Sequence, residues 1–151
     1  MRNRNPGGHM IHLVKLCVGA EGVDDLIDWQ RLHFGDGPAR HLTRMWPKRE
    51  AEILDGGSLY WVFKGLVLAR QRIVSLDESI GDDGIRRCAI GLDREVVLTE
   101  AQPRRPFQGW RYLDPDAAPA DLRRGEAASA RTKEAPLPRA LQAALAEIGL
   151  R

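Results

Sequence analysis

Between Ser58 and Thr99, four β-rich runs follow one another with only turn residues between them. Ser58–Lys64 (SLYWVFK), Leu66–Leu76 (LVLARQRIVSL), Ile85–Leu92 and Glu95–Thr99 leave no room for a crossover helix. Parallel neighbours need a connection of about a dozen residues or more, so runs this close pair antiparallel. Gly65, Asp82-Asp83-Gly84 and Asp93-Arg94 supply the reversals. The expected fold is α+β: a curved, mostly antiparallel sheet or a small barrel with flanking helices.

Ahead of this block the spacing changes. Ile11–Val18 (IHLVKLCV) reads as a strand. Val23, Leu26, Ile27, Leu32 and Phe34 recur at helical spacing, with Asp24 and Asp25 at the positive end of the dipole. Gly35, Gly37 and Pro38 stop this helix over Val23–Phe34. His41–Trp46 reads as a short strand. Pro47 suits the first position of a helix over Lys48–Leu54, which Gly56-Gly57 closes.

After Glu100, Pro103 and Pro106 bracket Arg104-Arg105, and Phe107–Leu113 (FQGWRYL) is aromatic without a period. Asp114–Pro136 reads as loop. Leu137, Leu141, Leu145 and Ile148 form the stripe of an amphipathic C-terminal helix. Residues 10–151 thus read as a single domain. The polar run Met1–His9 reads as a disordered extension.

A chain of 151 residues can bury a core without staples. Its net charge of +2 names no partner, so only the distribution of charge can. Cys17 and Cys88 lie in apolar runs without metal-ligand spacing, and read as two buried, reduced thiols. No apolar run approaches the roughly 20 residues that span a bilayer. The reading is a cytoplasmic protein without a membrane partner. No phosphate-loop, dinucleotide-binding, zinc or nucleophile-elbow motif is present, so neither a cofactor nor a metal is expected.

Three clusters join cations to aromatics. Arg44-Met45-Trp46-Pro47-Lys48-Arg49 sets three cations around an indole at a strand-to-helix junction, where free N–H groups suit an anion. The bland alternative is a core Trp46 with a solvated rim. Strict alternation puts Leu66, Leu68, Arg70, Arg72, Val74 and Leu76 on one sheet face, and Val67, Ala69, Gln71 and Ile73 on the other. Arg70 and Arg72 are then either an anion platform or arginines paired with carboxylates. Arg104-Arg105-Pro106-Phe107-Gln108-Gly109-Trp110-Arg111-Tyr112 is the third cluster. Its aromatics either face a ligand or pin the loop to the core. Acid–base candidates are sparser: His41 and Thr43, with Lys48, Glu50 or Glu52 nearby.

The runs IHLVKLCVG (Ile11–Gly19), HLTRMWPKR (His41–Arg49), DGGSLYWVFKG (Asp55–Gly65), LARQRI (Leu68–Ile73), DGIRRCAI (Asp83–Ile90) and RRPFQGWRYL (Arg104–Leu113) carry a resemblance. They resemble a bacterial family catalogued as domain of unknown function 1489, from about Met10 to about Leu122. The order of a basic strand, a short helix ending in Gly-Gly and an aromatic hairpin is also similar to the PUA, ASCH and EVE small barrels. That likeness implies RNA or modified bases as ligands, and fold alone does not fix function.

Three functions compete. The first is a nucleic-acid or nucleotide-binding module, with Arg44, Trp46, Lys48, Arg70, Arg72, Trp110 and Arg111 bordering one basic, aromatic surface for RNA. The second is a small amidohydrolase acting on a modified nucleoside, with Thr43, Lys48 and a nearby carboxylate. The third is a ligand-free protein-interaction domain, whose arginines are ordinary surface. Convergence of the arginines on one concavity separates the first two from the third.

Overall fold

A computed structural model describes residues 10–122. The Met1–His9 extension and the amphipathic helix expected at Leu137–Ile148 lie outside the described residues.

The long strand β4 (Leu66–Ile80) is the spine. Strand β3 (Ser58–Phe63) pairs antiparallel with its first half. The other flank of β4 takes β6 (Val97–Pro103) and then β5 (Arg86–Leu92), both antiparallel. Strand β2 (Ala39–Thr43) lies antiparallel outside β5. On the far side of β3 come β1 (His12–Leu16) and then β7 (Trp110–Leu113). The path β2-β5-β4-β3-β1-β7 is open, so the curved sheet, rather than a closed barrel, is what forms.

Among the described strands β1 and β3 make the one parallel pair. The chain between them carries α1 (Val23–Phe34), β2 and α2 (Glu50–Leu54), the long connection that parallel pairing requires. Gly57 lets β3 begin close against this connection. A Cβ there would lie 2.2 Å from the Ile11 carbonyl oxygen and 2.6 Å from that of Ile53.

Two bulges bend β4 and overturn strict alternation along it. Val62 faces Val67 while Trp61 faces Ala69, so Leu68 is an extra residue. Ile73 faces Leu92 while Ser75 faces Gly91, so Val74 is another. Each insertion exchanges the two faces and sharpens the twist. Val67 therefore shares a face with Arg70 and Arg72, while Leu68 packs on the opposite side with Ala69 and Ile73.

Every residue of β3 is buried, because both faces of the sheet are covered there. The larger core joins Leu13, Leu59, Trp61, Phe63, Ile73, Ile90 and Leu92 of the sheet to Leu26 of α1 and Ile53 of α2. The smaller core, on the opposite face, holds Val14, Tyr60, Val62, Val67 and Leu113, with Phe107 packed against it.

Several boundaries differ from expectation for local reasons. β4 runs on to Ile80 because β5 pairs with it that far. The aperiodic FQGWRYL run contributes strand β7, because the outer edge of β1 offers a partner. Cys88 is buried in β5, whereas Cys17 is half-buried, since β1 ends at Leu16 and the chain turns away. Both are free thiols, and burial raises each to a pKa of about 11. No helix among the described residues is long and apolar enough to cross a membrane.

Candidate functional site

Alternation along β7 divides the residues singled out in the sequence. Trp110 and Tyr112 face the larger core, while Arg111 and Leu113 face the smaller one. The surface expected to hold all seven residues is therefore two surfaces.

On the helix side, the Arg44–Arg49 junction docks onto β7. The Trp110 indole N–H donates to the Met45 carbonyl at 2.7 Å. The Tyr112 hydroxyl accepts from the backbone N–H groups of Lys48 and Arg49, at 2.8 and 3.2 Å. Those amides are thereby committed, and α2 begins only at Glu50, so the helix N-terminus expected at Pro47 offers no anion site. Trp46 packs half-buried on the larger core, with the Arg86 guanidinium 4.3 Å above its ring. Arg86 pairs with Glu78, and Arg49 holds Glu52 through two hydrogen bonds. Arg44 and Lys48 are exposed and make no ion pair among the described residues. Thr43 spends its hydroxyl on the Met45 N–H at 3.2 Å.

The other face carries Arg70, Arg72 and Arg111. Arg70, Tyr60, Val14 and Arg111 are successive register partners across β4, β3, β1 and β7. Arg70 is committed: it grips Asp121 through two hydrogen bonds of 2.8 and 2.7 Å and donates to the Ser58 hydroxyl at 3.0 Å. This pairing lowers the pKa of Asp121. Beside it, His12 accepts the Ser58 N–H on Nδ1 at 2.9 Å. Burial first, then the Arg70 charge, depresses the His12 pKa to about 4. Arg111 lies over the Phe107 ring at 5.5 Å, and Arg72 is exposed.

A feature that motif reading missed lies next to the junction. Between α1 and β2 opens a recess of about 370 Å³. Trp29, His33 and Phe34 form its helical wall, Arg40, His41 and Leu42 come from β2, and Trp61 from β3. The Trp29 and His33 rings stack at 4.1 Å, and His33 Nδ1 bonds the Trp29 carbonyl at 2.8 Å. His41 meets Trp61 edge-on at 5.8 Å. Burial, then the nearby Lys15 charge, brings the His41 pKa down to about 4, so its ring is neutral at pH 7. Lys15 stands in register between Trp61 and Trp110, and burial lowers its pKa too.

The Trp61 indole is fixed from behind. Its N–H donates to Gln71 Oε1 at 2.9 Å, and the Gln71 and Gln30 amides bond reciprocally at 2.9 and 2.7 Å. Gln71 Nε2 also donates to the Asp93 carbonyl at 2.9 Å. Two signals in the sequence pointed here: a glutamine between Ala69 and Ile73 on an apolar strand face, and a Trp–His pair spaced i, i+4.

A family model described as "Protein of unknown function (DUF1489)" matches residues 13–151. The chain belongs to the DUF1489 family. Neither the curated proteins nor the solved structures contain a match to it. The DUF1489 match spans both faces described above, so membership does not choose between them.

Proposed function

We propose that this DUF1489 protein is a nucleic-acid or nucleotide-binding module whose macromolecular ligand is single-stranded RNA. The carrying observation is a run of unneutralised cations beside aromatic surface. Arg40 and Leu42 are exposed on β2, and Arg44 and Lys48 follow exposed in the junction. None of the three cations makes an ion pair among the described residues. Phosphates can therefore take them without breaking a bridge, whereas Arg70 must first release Asp121. Base faces have the half-exposed Trp29 and the rest of the recess wall nearby.

Fluorescence anisotropy of a labelled single-stranded RNA, titrated at several salt concentrations, tests this. The logarithm of the binding constant falls linearly with log salt, and the Arg40→Ala/Arg44→Ala/Lys48→Ala variant shows a slope shallower by about two. Arg72→Ala leaves both affinity and slope unchanged. Absence of RNA binding at low salt, or an unaltered triple variant, overturns the proposal.

A further inference from the structure

We propose that the recess between α1 and the outer edge of β2, which pairs with no other described strand, seats one planar nitrogen heterocycle, a nucleobase, presented from a single strand or as a free nucleoside. This inference rests on the nucleic-acid reading above and goes further, since it names the subsite and the part of the ligand that fills it.

Size comes first. A recess of about 370 Å³ lies at the small end of the range for ligand pockets, about 300–1,000 Å³. It suits one base with its sugar, not an extended cofactor. The walls then select shape. Trp29 keeps half its surface exposed although it is large and apolar, and its ring is already held by stacking on His33, the planes 24° apart. A planar π-system can stack on such a wall, which gives a branched aliphatic group less contact.

Polarity selects the chemistry further. His41 borders the recess, and its Nε2 is buried without a hydrogen-bond partner. Nε2 itself is closed off from the recess, so a ligand meets it only through a small turn of the imidazole. Buried polar atoms are rarely left unpaired, which favours such a turn toward a ligand that brings a partner. A neutral imidazole presents one donor and one acceptor. The edge of a nucleobase carries both kinds of group, and a hydrocarbon carries neither. At the rim, Arg40 is exposed and makes no ion pair among the described residues, placed for a phosphate or carbonyl outside the recess. The Gln30–Gln71–Trp61 network holds the floor in place, so little ordering is left to the ligand.

The test is titration of the full chain with adenosine, guanosine, cytidine and uridine, then with their 5′-monophosphates, followed by indole fluorescence. At least one nucleoside quenches with saturation. Trp29→Ala weakens it by about tenfold, as the loss of one stacking face predicts. His41→Ala and His41→Phe both weaken it, the second keeping the ring but not its nitrogens. Arg40→Ala spares the nucleoside and weakens the monophosphate. Failure of every nucleoside to saturate up to about 10 mM, or unchanged affinity in the Trp29 and His41 variants, overturns the inference. Nucleoside binding without RNA binding would uphold the recess and sink the RNA reading. RNA binding that responds to Arg44 and Lys48, but neither to Trp29→Ala nor to competing nucleosides, would do the reverse. A peptide strand that pairs with the edge of β2 while no nucleoside competes would overturn the inference as well.

Discussion

Replacing Gln71 by leucine lowers the unfolding free energy by about 4 kcal/mol, a large effect for one substitution. All four bonding positions of the Gln71 amide are used. Its oxygen accepts from Gln30 and Trp61, and its nitrogen donates to Gln30 and to the Asp93 carbonyl. Gln71 is fully buried, so water reaches its former partners only from the recess side of Gln30 and past the half-buried Asp93, and the Trp61 N–H is left without one. Leucine strands the Trp61 N–H, the Gln30 amide and the Asp93 carbonyl together, each at about 1–3 kcal/mol before relaxation. Urea unfolding of wild type and variant measures the loss. The Gln30→Leu/Gln71→Leu double variant recovers part of it, because it removes one of the stranded groups. A loss below about 1 kcal/mol for Gln71→Leu would mean that the network is not formed as described.

The fold also weakens in mild acid, and His12 is the main cause. Its folded pKa is about 4, against 6.5 for a free imidazole. The unfolded chain therefore binds a proton first as pH falls. Stability is fully present above about pH 6.5 and drains away towards pH 4. The loss assigned to His12 is about 3 kcal/mol. Protonation is opposed by burial and the Arg70 guanidinium, and only the Asp121 carboxylate favours it. It would also cost the Nδ1 acceptor its bond to the Ser58 N–H. His41, likewise depressed to about 4, adds a parallel loss that its partial exposure reduces. Asp121 acts in the same sense, but its own depressed pKa puts its contribution at lower pH. Urea unfolding at stepped pH checks this. His12→Asn, which keeps an acceptor but cannot titrate there, flattens the curve between pH 6.5 and 4. An equal slope in the variant would remove His12 as the cause.

What was legible in the sequence was local. The helix over Val23–Phe34 has the bounds its spacing and its glycines predict. The Ser58–Leu76 hairpin turns at Lys64 and Gly65, both with positive φ, as a tight reversal demands. The bulges at Leu68 and Val74 have no compositional mark, since one more apolar residue in an apolar strand looks like any other. Strict alternation therefore puts Leu68 beside Arg70, and the bulge turns it to the opposite side. Strand β7 depends on the edge of β1, about a hundred residues earlier in the chain, and no local pattern announces such a pairing.

The candidate site divides in the same way. The Arg44–Arg49 junction docks on Trp110 and Tyr112 through backbone-to-side-chain bonds that neither run announces, since the partners lie more than sixty residues apart. The Arg70–Asp121 bridge joins residues 51 apart, so nothing local tells the paired Arg70 from the exposed Arg72. The recess was invisible as a motif because α1, β2 and β3 each give it only a few residues. Its clues lay in misfits: a large aromatic off the buried stripe of α1, and polar residues on core-facing strand positions. Trp29, Lys15, His41 and Gln71 are of that kind. Such violations of pattern are where function is most often found.

The claim that the outer side of β2 and its junction bind single-stranded RNA is tested most directly by NMR. Amide and indole N–H shifts of the uniformly labelled protein are followed as a short RNA is added. The account predicts that the largest changes cluster at Arg40–Lys48 and at the Trp29 and Trp61 indoles, with Arg72, Arg111 and the Arg70–Asp121 bridge unmoved. Changes centred on Arg70, Arg72 and Arg111 instead, or no changes at low salt, would contradict it.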